Sequence, residues 1–341
     1  MQKKKKSLES QHVSQQAADL LRITDLHTYF HMGKNHIAKA VDGVSFSIRE
    51  NETLAIVGES GSGKSVTALS IMRLISSPPG EIVQGTIELN GTNLLDLSKR
   101  EMNQVRKEEV GMIFQDPMTS LNPVFTIGNQ MADTLIKHQK YSKKAAYKRA
   151  VELLEAVGIP RAEKIIMEYP HQLSGGMRQR VMIAMAMSSH PKLLIADEPT
   201  TALDVTTQAQ ILDLMLDMQE EYHSSIVLIT HDLGVVAEAA ERVVVMYGGQ
   251  VVEEASVEDL FNQPLHPYTK AMLDSIPNLE EDVNRLAAIP GKVPPADDFP
   301  KGCRFAPRCP FVMDKCLEVN PELEKSSPQQ KVRCHLYEGG K

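Results

Sequence analysis

The stretch TLAIVGESGSGKS, residues 53–65, constrains this 341-residue chain more than any other. TLAIV is a short apolar run of the kind found in a strand buried on both faces, and a helical pattern starts near Lys64. Between them GESGSGKS fits G-x-x-x-x-G-K-[ST], in the register the chemistry needs, after a strand and opening a helix. Glycines let successive backbone N–H groups turn inward as an anion-binding nest, and the positive end of the helix adds to it. Gly58, Glu59, Ser60, Gly61, Ser62, Gly63, Lys64 and Ser65 are therefore the expected phosphate-binding residues. Lys64 would reach the β- and γ-phosphates, and the Ser65 hydroxyl would ligate Mg²⁺.

Further apolar runs follow: VGMIF at 110–114, KLLIAD at 192–197, SSIVLIT at 224–230 and RVVVMY at 242–247. LLRITDLHTYF and VDGVSFSIRE instead alternate apolar and polar residues, as half-buried strands do. Ile211, Leu214, Met215 and Met218 recur at helical spacing. Between about 122 and 172 no strand pattern occurs, and Ile127, Met131, Leu135, Val151, Leu154 and Val157 mark amphipathic helices. Buried strands interleaved with helices predict an α/β sheet with a helical insertion. Past Glu254 the sequence becomes proline-rich, which predicts a linker or appended subdomain.

Asp197 and Glu198 follow KLLIAD at a strand's carboxyl end, the edge where α/β sheets hold ligands. Asp197 suits Mg²⁺, and Glu198 suits the polarisation of an attacking water. His231 follows IVLIT and Gln115 follows VGMIF in the same way; their common position, just past buried strands, singles them out.

The net charge of −7 argues against a general nucleic-acid binder. No apolar run approaches the roughly 18 residues that span a bilayer. The opening MQKKKK leads into polar residues, so a solvated tail over 1–19 is expected and not a secretory signal.

LSGGMRQR at 173–180, together with the phosphate loop, Gln115, LLIADE, TALD at 201–204 and His231, resembles the nucleotide-binding subunit of ABC transporters. The resemblance implies a P-loop NTPase of the ABC ATPase type over 20–262, its helical subdomain at about 120–175, using ATP and Mg²⁺. Two such domains would face head to tail. Ser174, Gly175 and Gly176 would contact the γ-phosphate held by the partner, and Asp204 would sit across the interface. Gln115 would touch Mg²⁺ and signal to the membrane subunit, His231 would bond the γ-phosphate, and Phe30, or Tyr29 beside it, would stack on adenine. The family usually has glutamine where Met177 stands, so a polar contact from that position is not expected.

QDPMTSLNP after Gln115, HPYT at 266–269 and GCRFAPRCP at 302–310 narrow the resemblance to ATP-binding subunits of oligopeptide and dipeptide importers. That implies two membrane permeases, an extracellular peptide-binding protein, a second ATPase subunit and a place on the cytoplasmic face of the membrane. Nickel importers share much of this pattern and are the alternative. ABC ATPases that act in DNA repair or translation usually carry long coiled coils or two cassettes, and neither is present.

All four cysteines, Cys303, Cys309, Cys316 and Cys334, fall in the expected C-terminal extension, 263–341. Their C-x5-C-x6-C-x17-C spacing fits neither common zinc ribbons nor bacterial ferredoxins. The resemblance implies a [4Fe–4S] cluster there, with zinc or free thiols as alternatives and His335 as a possible replacement ligand.

Overall fold

Strand β3 (Thr53–Val57) is buried at all five residues. Its side chains alternate between two cores: Leu54 and Ile56 face one, Ala55 and Val57 the other. It pairs in parallel with β8 (Ser225–Thr230) on one side and β9 (Arg242–Tyr247) on the other, so both its edges are also satisfied. Outward from β8, still parallel, lie β7 (Leu193–Asp197) and β6 (Val110–Ile113). The carboxyl ends of β3, β6, β7 and β8 therefore share one edge.

The computed structural model describes residues 19–33, 36–116, 120–201, 203–276 and 289–338. The tail before residue 19, residues 117–119 of QDPMTSLNP and Ala202 of TALD lie outside them.

Beyond β9 the sheet turns antiparallel. β10 (Gln250–Ser256) pairs with β9, and β12 (Gln330–Val332) and β11 (Glu324–Ser327) from the C-terminal stretch extend it. A second, antiparallel sheet holds β1 (Asp19–His31), β2 (Ile37–Arg49), β4 (Gly80–Leu89) and the short β5 (Thr92–Asn93). Its inner face, with Ile23, Phe46 and Ile87, packs with Leu54 and Ile56 around helix α1 (Lys64–Ile71). Each such apolar side chain contributes roughly 1.5–3 kcal/mol through burial.

Helix α2 (Lys99–Glu108) starts with a capping box of Ser98 and Glu101. The other face of the parallel strands is covered by α3 (Ile127–Gln139), α4 (Lys143–Ala156), the short α5 (Ala162–Ile165), α6 (Gly175–Met187) and α7 (Val205–Tyr222). Their apolar stripes, including Met131, Leu135, Leu154, Ile211 and Met215, form one core with Ile113, Leu194 and Leu228. Met177 packs against this core, which gives the departure in the signature an apolar role. Among the described residues the other α-helices are α8 (Leu233–Ala239), α9 (Val257–Asn262), α10 (Pro267–Asp274) and α11 (Asp314–Glu318).

Candidate ATP site

The phosphate loop joins β3 to α1 and cannot be built from ordinary residues. A Cβ on Gly58 would lie 2.1 Å from the Met246 carbonyl, and one on Gly63 would lie 2.4 Å from the Ala40 carbonyl. Gly63 also has φ +102, in the left-handed region that glycine adopts at no steric cost. Lys64 is buried, and its ammonium donates to the loop's own Gly58 carbonyl at 2.7 Å and Glu59 carbonyl at 3.1 Å. Burial pulls its pKa down, while Glu198, Asp197 and Glu59 counteract that.

Ser65 Oγ donates to Asp197 Oδ1 at 3.0 Å, which sets two oxygen ligands side by side at the start of α1 and the end of β7. Burial raises the Asp197 pKa. Ser62 Oγ is buried inside the loop with no hydrogen-bond partner. A glycine cradle, a buried ammonium, an orphaned hydroxyl and paired oxygen ligands fit a nucleoside triphosphate with a hard divalent cation.

Glu198 is the hub of the edge. Gln115 Nε2 donates to its Oε2 at 3.0 Å, Thr201 Oγ1 donates to the same oxygen at 2.8 Å, and His231 Nδ1 lies 3.5 Å from Oε1. Burial alone would raise its pKa, but the Thr201 bond and the neighbouring His231 and Lys64 outweigh it, and the carboxyl titrates below its ordinary value. Residues 83 positions apart thus meet at one carboxylate.

Ser174 caps α6, its Oγ accepting the Met177 N–H at 3.3 Å. Asp204 caps α7 by accepting from Thr207 N at 2.9 Å and Thr207 Oγ1 at 2.8 Å, bonds that hold its carboxyl below the usual range. The two caps adjoin: a Cβ on Gly176 would lie 2.8 Å from Thr207 Cγ2, and one on Gly175 would lie 3.8 Å from Leu203 Cδ2. Phe30 is half-buried, its ring against Gly80. Tyr29 is committed elsewhere, donating to Asp42 Oδ1 at 2.5 Å.

Residues 41–201 match the family model described as ABC transporter, and residues 252–316 match that of the oligopeptide/dipeptide transporter C-terminal region. The fold is similar to the ATP-binding cassette MJ0796 in a dimeric post-hydrolysis state bound to ADP and Pi, with TM-score 0.63 and 30% identity, covering 70% of this chain and 98% of that one. The chain belongs to the ABC transporter ATP-binding family and is an ABC ATPase. Over 94% of its length it is 58% identical to the oligopeptide transport ATP-binding protein AppD of Bacillus subtilis, covering 97% of that protein. It is 50% identical to the dipeptide transport ATP-binding protein DppD of Escherichia coli, over 87% of this chain and 90% of that one.

The four cysteines are free thiols that line one cavity with His266 and Phe305. That cavity measures about 10 Å³, roughly the space of a single water. Among the described residues no three His, Cys, Asp or Glu side chains are grouped to hold a metal ion. The expected [4Fe–4S] cluster and its zinc alternative are therefore not shown by the arrangement; for the free thiols burial raises the pKa of Cys303 and Cys309 and takes that of Cys334 to about 11. His335 is no spare ligand either, since its Nε2 bonds the Val319 carbonyl at 2.8 Å and its Nδ1 bonds Glu338.

The HPYT segment has a physical role that its sequence does not reveal. His266 caps α10 by accepting the Tyr268 N–H at 3.0 Å, and the Tyr268 hydroxyl accepts the Glu59 N–H of the phosphate loop at 2.8 Å. Burial, then Arg333, lowers the His266 pKa from 6.5 to about 3. Below pH 6.5 the unfolded chain takes up a proton that the folded chain refuses until about pH 3, so this stabilisation is complete above 6.5 and lost as pH falls. His266→Asn keeps a capping acceptor and removes the titration. Between pH 7 and 5 the variant is expected to lose about 2 kcal/mol less stability than the parent, measured by denaturant unfolding at both pH values.

Proposed function

We propose that this chain energises the import of oligopeptides across the cytoplasmic membrane by hydrolysing ATP. The observation that carries the chemical part is the convergence of Gln115, Thr201 and His231 on Glu198, beside the Ser65 and Asp197 pair. The names of the relatives and the matching C-terminal region support the peptide cargo.

In this reading the loop N–H groups and Lys64 bind the phosphates, while Ser65 and Asp197, with Gln115 nearby, would hold Mg²⁺. When bound, Mg²⁺ supplies charge neutralisation across the phosphate oxygens. Glu198, ionised at neutral pH, takes the proton of the attacking water, and His231 donates to the γ-phosphate. Phe30 stacks on adenine. Ser174, Gly175 and Gly176 act on the nucleotide of a facing ATPase subunit, donating from a hydroxyl and from backbone N–H groups at a helix start, and Asp204 lies beside them at the interface. The cassette spans 20–262 with a helical subdomain at about 120–175, and 263–341 forms the extension.

The assembly comprises a second ATPase subunit, two permeases and an extracellular peptide-binding protein, with this chain on the cytoplasmic face of the membrane. Closure of the ATPase pair on ATP and reopening after hydrolysis would drive alternating access. The convergence of four thiols on one cavity supports a finer reading, a [4Fe–4S] cluster or zinc bound after the thiols draw together. Iron, sulfide and zinc analysis of anaerobically purified protein tests it: none of the three in stoichiometric amount contradicts it.

Cells lacking this chain are expected to lose accumulation of labelled oligopeptides and to keep nickel uptake. Loss of nickel uptake with peptide uptake intact would instead select the nickel importer.

A further inference from the structure

The loop between the first two cysteines touches the phosphate loop at one end and a segment that bonds it at the other. Arg308, immediately before Cys309, donates through Nη1 to Glu59 Oε2 at 3.1 Å and to the Tyr247 hydroxyl at 3.3 Å. Its Nε and Nη2 donate to the carbonyls of Pro290 at 2.8 Å and Ile289 at 3.3 Å, which fixes the guanidinium from behind. Only 4% of the side chain is exposed. At the other end Arg304, immediately after Cys303, donates to the Gly248 carbonyl and to Asp42, while the residue after Gly248, Gly249, donates its N–H to the Ser62 carbonyl at 2.9 Å.

Glu59 is an awkward residue for its place. It puts a carboxylate into a loop whose N–H groups serve phosphate, and one of its oxygens, Oε1, is buried with no hydrogen-bond partner. Unopposed, that charge repels the phosphates and draws the loop's own donors away from them. Arg308 meets it with a charge-assisted hydrogen bond from a buried guanidinium to a half-buried carboxylate, stronger than a bond between neutral groups. The carbonyl of the same Glu59 holds Lys64, and its N–H is held by Tyr268, so the position of this one residue bears on the phosphate-binding ammonium.

We infer that Arg308, delivered by the C-terminal extension, is a positioning residue of the ATP site that neutralises Glu59 and fixes the first turn of the phosphate loop. The extension is then a working part of the nucleotide site, and the docking of the cysteine loop sets ATP affinity. This rests on the reading of residues 58–65 as the ATP phosphate site.

The full-length chain, titrated with a fluorescent ATP analogue and Mg²⁺, tests it. Arg308→Ala is expected to weaken binding about tenfold. Arg308→Lys, which keeps the charge, is expected to retain most of the affinity, and adding Glu59→Gln to Arg308→Ala is expected to recover most of the loss. Wild-type affinity in Arg308→Ala, or a double variant as weak as Arg308→Ala alone, overturns the inference while leaving the phosphate site in place. Should Arg308→Ala give no cooperative thermal transition, Arg308→Gln carries the same expectation and the same contrary result. A wild-type chain that binds no analogue overturns the phosphate-site reading and this inference with it.

Discussion

Glu198→Gln is expected to lower ATP hydrolysis by about three orders of magnitude and to leave ATP binding close to that of the parent. The amide keeps the shape of the side chain and can still bond Thr201, but it cannot take a proton from water. The carboxylate is prepared for that role by its surroundings: Thr201, His231 and Lys64 keep it ionised against the effect of burial. Its depressed pKa has a sign consequence, since acidification toward pH 5 would leave this base charged and working. Single-turnover hydrolysis in the assembled transporter, with nucleotide binding measured in parallel, separates loss of chemistry from loss of affinity. A variant that hydrolyses ATP at the parent rate removes Glu198 from the mechanism.

Lys64→Ala is expected to weaken ATP binding about a hundredfold. Its ammonium is the buried cation that the phosphate loop holds with its own carbonyls, beside the carboxylates of Asp197 and Glu198. Without it those two acids face the phosphates with one compensating charge fewer. Titration with a fluorescent ATP analogue measures the effect, and unchanged affinity would mean that the loop does not use this lysine on phosphate.

The parts of the site that adjoin buried strands were legible because their cause is local. TLAIV, KLLIAD and SSIVLIT are apolar on both faces, so their strand character, shared edge and the polar residues just beyond them follow from the pattern. The strand β10 was harder, since it carries Glu253 and Glu254 into the interior and reads as the start of a polar linker. Glu254 is compensated by Arg242 and Lys331, and Glu253 accepts the N–H groups of Leu265 and His266, partners that no short window contains. The same holds for Arg304 and Arg308, whose partners Asp42 and Glu59 lie 262 and 249 positions away. An arginine beside each of two cysteines was the available signal, and it was absorbed into a family resemblance. The metal centre came from the family resemblance and not from the cysteine spacing; the four thiols do line one cavity, but among the described residues no three potential ligands are grouped to hold an ion.

The central claim, that the edge built around Glu198 turns ATP hydrolysis into peptide import, is tested most directly by labelled-peptide uptake in cells whose sole copy of this chain carries Glu198→Gln. Uptake is predicted to fall to the level of cells lacking the chain, with the variant present in normal amount and still binding ATP. Peptide uptake at the parent rate in those cells would contradict the account.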